Sequence, residues 1–255
     1  MKKTVLHIVL TSFIILFAVS LHAQEETEVY NKGIEYYSAG NFENAIEEWT
    51  KLISNGYSSS TLFYNLGNAY FKSSNIPAAI LFYEKASLLK PFDEDIRYNL
   101  EIARIYIVDR IDIIPELFFI RWFKMSSLFL SSNSWALLSA ATFIFVLVFF
   151  LTWLLGSRYL IKKISFIVSV ILLAVSIVSL SFSIENRRLT TGNSYAIVFS
   201  PSATGKSSPG SGSSDLFVIH EGTKVKIEDE VGGWYEIRLP DGNVGWIESG
   251  DVRKI

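Results

Sequence analysis

The amino-acid sequence predicts a multidomain chain made of an all-α stack of helical repeats, a transmembrane helical hairpin and a small all-β barrel. Three observations carry this reading. Residues recur at a spacing of 34 through the N-terminal part. Ala136 to Leu155 and Ile164 to Ile184 contain no charged side chain, and each is long enough to cross a hydrocarbon core of about 30 Å. Short segments of alternating polarity, joined by turn residues, fill the C-terminal part.

The repeat is explicit. Gly33, Tyr36, Asn41 and Ala45 return as Gly67, Tyr70, Asn75 and Ala79, and Trp49 returns as Tyr83. A third, partial copy begins at Tyr98-Asn99-Leu100. This spacing fits pairs of antiparallel helices. Gly67 and Ala79 are small where helices approach, and Tyr70 and Tyr83 fill the gaps. Pro77 suits the first turn of a helix, where its missing N–H costs nothing, and Pro91 ends that helix. The second copy resembles the tetratricopeptide repeat at nearly every signature position. The first copy departs more, with Val29 and Lys32 at positions where that family has a large aromatic and a leucine.

Such repeats present a concave face to a partner. Asn31, Asn65 and Asn99 share one repeat position, and Asn68 lies one turn beyond Asn65. One reading is an amide ladder that grips an extended peptide, because asparagine both donates and accepts. The other is that asparagine at this position belongs to the repeat's own packing pattern. Gln24 to Arg110 holds 13 acidic and 8 basic residues, which favours a basic or neutral partner.

The two apolar runs are joined by Gly156 to Lys163, which carries Arg158, Lys162 and Lys163, a charge pattern expected of a cytoplasmic turn. Arg187 and Arg188 after the second run argue mildly the other way, and export of the N-terminal part by a signal breaks the tie. Inside the runs the polar side chains are Ser and Thr only. An ion path would normally place ionisable groups there, so the hairpin reads as an anchor. Ahead of it, Pro115 to Leu130 mixes Leu117, Phe118, Phe119, Trp122 and Phe123 with Arg121 and Lys124, as expected of an amphipathic helix at a membrane interface. At the N-terminus, Met1-Lys2-Lys3, the apolar stretch Val5 to Ser20 and Leu21-His22-Ala23 read as a secretory signal cleaved after Ala23.

Towards the C-terminus, Ser200 to Ser214 is rich in Ser, Gly and Pro and reads as a mobile loop. Lys224 to Ile227, Trp234 to Leu239 and Val244 to Ile247 alternate as strands, with Asp241-Gly242-Asn243 as a tight turn. Glu221-Gly222-Thr223, Gly233-Trp234-Tyr235 and Gly245-Trp246-Ile247 together resemble a bacterial SH3-type domain. That resemblance implies a groove lined by Trp234 and Trp246, with Tyr235 beside them, for a proline-rich or cell-wall peptide. The alternative places Trp246 in the core and leaves Trp234 and Tyr235 partly exposed.

Composition excludes much else. Cysteine is absent, which removes disulfides, thiolate metal sites, cysteine nucleophiles and an acylated lipoprotein cysteine. A formal net charge of −2 gives no whole-chain field for nucleic acid. Hydrophobic residues reach 50% and mean hydropathy is +0.32, yet 19% of residues are charged, as expected of greasy and soluble stretches in alternation. His220 is the one histidine outside the signal, without clustered carboxylates in sequence or a strained serine turn. The chain is therefore expected to be no enzyme and to need neither cofactor nor metal.

The expected organisation is a signal over 1–23, tetratricopeptide helical repeats over 24–112, an interfacial segment over 113–133, the hairpin over 134–184 and an SH3-like barrel over 190–255. This order, with Ile114-Pro115-Glu116-Leu117-Phe118-Phe119 ahead of the hairpin, resembles the BatE-type aerotolerance-operon family of Bacteroidetes. The resemblance implies an inner-membrane, multi-pass scaffold with repeats and barrel facing the periplasm. It also implies membrane von Willebrand factor A-domain partners and, indirectly, a MoxR-type ATPase. A cell-envelope sensor that binds peptidoglycan or peptide through the barrel is the other function class the sequence allows.

Overall fold

The computed structural model describes residues 26–112, 114–115, 117–191 and 195–255. The expected signal over 1–23 lies outside the described residues, as do Ile113 and Glu116. The chain divides into two compact units. One joins the described residues up to Asp112 to those from Tyr195 onward, and the other holds the residues between.

In the first unit, helix α1 runs over 26–38, followed by α2 (Phe42–Ser54), α3 (Ser60–Lys72), α4 (Ile76–Leu89) and α5 (Glu94–Ile105). Side-chain caps fix three of the helix starts. Ser59, Asn75 and Asp93 accept hydrogen bonds from the backbone N–H groups of Leu62, Ala78 and Ile96, satisfying donors that a helix end leaves unpaired. Pro77 sits in the first turn of α4, as the sequence predicts.

The 34-residue period is a packing period. Trp49 is buried against Gly33, and Tyr83 against Gly67. A Cβ on Gly67 would lie 2.5 Å from Tyr83 Cδ1. The glycines are thus required by close approach of a ring rather than by backbone freedom. The Trp49 indole N–H donates to Tyr30 O at 3.1 Å, and the Ser60 hydroxyl donates to Ala86 O at 3.0 Å. Both bonds satisfy groups that would otherwise be buried unpaired.

The C-terminal part of this unit is a seven-stranded antiparallel sheet. Its strands are β1 (Tyr195–Val198), β2 (Ser202–Lys206), β3 (Asp215–His220), β4 (Lys224–Val231), β5 (Trp234–Arg238), β6 (Val244–Glu248) and β7 (Val252–Lys254), in the spatial order β3-β2-β6-β5-β4-β1-β7. Every strand sends a buried side chain into one cluster, among them Val198, Ala203, Ile219, Val225, Ile237, Ile247 and Val252. A single sheet can do this only by coiling around its own core.

One sequence expectation changes here. Residues 202–206, expected within a mobile loop, form β2, held by β3 on one side and by β6 on the other. Their Ser, Gly and Thr content disguises a period of two in which Ala203 and Gly205 face the core. Gly205 and Gly245 are both needed because the Phe217 ring lies against them. The sheet also shares a core with the helices. Ile197 is fully buried in a cluster with Ala79, Ile80 and Tyr83 of α4 and Leu100 and Ala103 of α5. Ala196, Ile197 and Val198 are all buried, so β1 is covered on both faces.

The second unit contains α6 (Phe118–Ser127), α7 (Ser132–Leu155) and α8 (Tyr159–Thr191). Helices α7 and α8 are long and apolar enough to cross a membrane. They pack along a seam marked every seven residues. Ser132 and Ser183 exchange hydroxyl-to-carbonyl bonds at 3.0 and 2.9 Å, and Ser139 and Ser176 do so at 2.9 and 3.0 Å. One heptad further on, Val146 and Ser169 are buried on the same seam. Replacing Ser139 by leucine is expected to weaken this pairing by about 1 kcal/mol, because the bond donated by its hydroxyl is lost and the larger side chain prevents the close approach on which the reciprocal bond from Ser176 depends. Thermal melting of the helical circular-dichroism signal in detergent, against wild type, measures it.

Candidate functional site

Strand alternation sets the candidate binding face. In β5 and β6 the register pairs Trp234 with Glu248 and Glu236 with Trp246, while Tyr235 pairs with Ile247 and Ile237 with Gly245. Trp234, Glu236, Trp246 and Glu248 therefore share one face, and Tyr235, Ile237 and Ile247 share the other. The two tryptophans are diagonal neighbours across the strand pair, within reach of one flat ligand. Both are half-buried. Ile237 and Ile247 are fully buried beneath them.

Tyr235 points the opposite way and packs against the sheet's core. Lys254 Nζ lies 4.5 Å from its ring centroid and 3.2 Å from Glu230. Hydrogen bonding to Tyr235 and Glu230 raises the Lys254 pKa above the ordinary lysine value. Tyr235 is thus tied down on the far side of the sheet from the tryptophans.

The charge of the tryptophan face is acidic. Glu236 and Glu248 stand beside the rings, and Asp229 lies opposite Glu236 in β4. On the other flank Lys206 pairs with Trp246, and its ammonium lies 2.7 Å from Asp215. The face combines two aromatic platforms with carboxylates, which is chemistry suited to a ligand carrying a cation.

Residues 206–253 match the model of the bacterial SH3 domain. No curated protein matches the chain. The SH3 domain takes in β3 to β6, most of β7 and the last residue of β2, so both tryptophans fall within it. Domains of this type fit the binding of peptides or cell wall in general.

The asparagines of the helices are placed differently. Asn65 Nδ2 donates to the Tyr30 hydroxyl at 2.8 Å, and Asn99 Nδ2 donates to the Tyr64 hydroxyl at 2.9 Å. The same bond recurs one repeat later. Asn99 also donates to Asn68 Oδ1 at 2.9 Å, and Tyr83 donates to that oxygen at 2.7 Å. Burial raises the Tyr83 pKa, so this phenol remains a donor through the physiological range. Asn31 is exposed, and its side chain has no hydrogen-bond partner among the described residues. Three of the four amides are thus engaged between helices. Replacing Asn99 by alanine is expected to destabilise the helical stack by about 1–2 kcal/mol, leaving two half-buried partners without their donor. Urea unfolding of full-length wild type and variant checks it.

Two polar clusters join the helices to the SH3 domain, and sequence reasoning foresaw neither. Glu84 on α4 is buried and binds Arg104 of α5 at 2.6 Å and Lys224 of β4 at 2.8 Å. Burial alone would raise its carboxyl, but Lys224 and Arg104 outweigh that effect and hold it below the usual range. Asp109 accepts from the His220 backbone N–H at 2.7 Å and the Thr223 hydroxyl at 2.6 Å, and its other oxygen lies 2.7 Å from His220 Nδ1. Burial opposes ionisation of Asp109 too, and these donors lower its pKa overall. No serine hydroxyl bonds the His220 ring among the described residues. Nor is any group of three or more histidine or acidic side chains among them placed to hold a metal ion.

Proposed function

We propose that this protein is a membrane-anchored recognition scaffold on the outer side of a bacterial inner membrane. In this reading α7 and α8 cross the bilayer as an anchor. The helices of the first unit are tetratricopeptide-type repeats, and the SH3 domain binds a peptide through Trp234 and Trp246. The observation that carries the reading is the shared face of two half-buried tryptophans flanked by Glu236 and Glu248. It favours an extended, cationic peptide, with affinity from stacking and cation–π contact.

The proposed topology has independent support. A hairpin returns the chain to the side it left, and Ile197 shares a core with α4 and α5, which supports helices and sheet in the same compartment. The positive turn at Arg158, Lys162 and Lys163 favours that turn facing the cytoplasm. Arg187 and Arg188 at the other end of the hairpin argue mildly the other way, and export by the expected signal breaks the tie in favour of the first unit facing the periplasm. The family resemblance adds the direction in which to look for partners, namely membrane von Willebrand factor A-domain proteins and, through them, a MoxR-type ATPase. It also carries the link to oxygen tolerance. The protein is proposed to be non-catalytic.

A second reading, an envelope sensor that holds peptidoglycan, is favoured by the SH3-domain match itself. Purified full-length protein incubated with purified cell wall separates the two. Saturable binding that falls about tenfold or more in Trp234→Ala and Trp246→Ala supports the sensor. No cell-wall binding, together with membrane proteins cross-linked to the same face and lost in the same variants, supports the scaffold. Binding of both kinds unchanged in both variants would remove the tryptophan face from either reading.

A further inference from the structure

Helix α6 is fixed to the end of the hairpin rather than trailing from it. Asn186 of α8 is buried and donates from Nδ2 to Ser127 O at 3.0 Å and Leu130 O at 3.1 Å. The Trp135 indole N–H donates to the same Ser127 oxygen at 2.9 Å. Phe182 packs between Phe123 and Trp135 in tilted and edge-on contacts, with ring centroids 4.9 and 5.0 Å away. Asn186 lies two residues beyond the uncharged run ending at Ile184, so this clamp sits where the hairpin's apolar surface gives way to polar sequence.

The face of α6 turned away from the clamp is apolar and open. Phe118 is 80% exposed and Trp122 69%, and Phe119 and Met125 line the same surface. Four large side chains cannot be left in water without cost, and the helix that carries them is clamped to helices long and apolar enough to cross a membrane. Arg121 lies among them, and Arg188 borders the adjoining hollow. Aromatic side chains interleaved with arginine match the polar–apolar boundary of a bilayer, where rings sit at headgroup depth and guanidinium groups meet phosphate.

We propose that α6 lies in the boundary layer of a phospholipid bilayer, with Phe118, Phe119, Trp122 and Met125 among the upper acyl carbons and Arg121 and Arg188 at the headgroups. The occupant of this face is lipid, not a protein partner, because the helix that carries it is clamped at the end of the uncharged run and sets arginine beside its exposed rings. The inference rests on the reading that α7 and α8 cross the membrane. It gives the anchor a fixed foot, which sets the depth and tilt at which the hairpin sits.

The chain's lack of cysteine makes a single introduced thiol a unique label. Full-length Phe118→Cys, Trp122→Cys, Leu151→Cys and Val231→Cys proteins, each carrying a small fluorophore, are placed in phosphatidylethanolamine–phosphatidylglycerol nanodiscs. Lipid bearing a nitroxide near the headgroup is the first quencher and aqueous iodide the second. The expected result is lipid quenching at 118 and 122 at least threefold stronger than at 231, with lipid quenching also at 151. Quenching at 118 and 122 no stronger than at 231, while the label at 151 remains lipid-quenched, overturns the inference and leaves the crossing intact. Shielding of 118 and 122 from both quenchers assigns the face to protein and also overturns it. Absence of lipid quenching at 151 overturns the crossing and this inference with it.

Discussion

Replacing Glu84 by alanine is expected to lower the stability of the helix–sheet unit by about 2–3 kcal/mol. Glu84 is the single carboxylate between a helix cation, Arg104, and a sheet cation, Lys224, and its side chain is 7% exposed. Removing one member of a buried ion pair leaves the others uncompensated, typically at about 3–5 kcal/mol. Arg104 and Lys224 keep 45% and 33% of their side-chain surface in solvent, which places the expected value at or below the low end. Glu84→Gln retains the shape and one acceptor oxygen but turns an amide NH2 towards the second cation, so its loss should be smaller than that of alanine without vanishing. Melting of the near-ultraviolet tryptophan signal in detergent reads both variants. The acid response follows from the same geometry. Glu84 and Asp109 both have folded-state pKa values below their ordinary ones. Their contribution is therefore complete above the unfolded-state values of about 4 and disappears as pH falls through the lower folded values. The melting temperature of the wild type should hold steady above about pH 5 and fall below about pH 4, and this fall should be shallower in Glu84→Gln.

The other large effect is expected at Gly67. Valine there places Cβ 2.5 Å from Tyr83 Cδ1, and its branches would press further into the ring. Tyr83 is 1% exposed, and its hydroxyl donates to Asn68, so the ring has no free space into which to turn. Overpacking of this kind costs about 1–3 kcal/mol where the core can adjust, and the upper end is expected here because ring and helix are both fixed. Gly212→Ala is the control, since nothing lies within 4 Å of the added carbon. Urea unfolding monitored by far-ultraviolet circular dichroism should separate the two substitutions clearly.

Gly67 and Tyr83 were legible because a repeated spacing reports on packing directly: small residues return where rings return. The asparagine position was legible for the same reason, but its bonding was not. Asn65 and Asn99 each reach a tyrosine 35 residues upstream, across the boundary between successive helix pairs. The contact between Asp109 and His220 spans 111 residues and leaves no local trace. A lone histidine looks isolated in sequence when its carboxylate comes from another element. Strand β2 was hidden by composition, since Ser and Thr serve a strand whose inward positions are Ala203 and Gly205. Ala196, Ile197 and Val198 form an unbroken apolar run, the pattern of a strand buried on both faces, and that second face proved to be α4 and α5.

The cluster around Ile197 imposes an order on the making of this protein. During synthesis α4 and α5 emerge first, and the strand that completes their apolar flank follows only after α6, α7 and α8 have been made. The N-terminal half must therefore wait, partly uncovered, while more than seventy intervening residues are laid down and folded. Truncation after the hairpin would leave that flank permanently bare. Such a fragment should be short-lived in the cell, and supplying the missing C-terminal piece as a separate chain should rescue it.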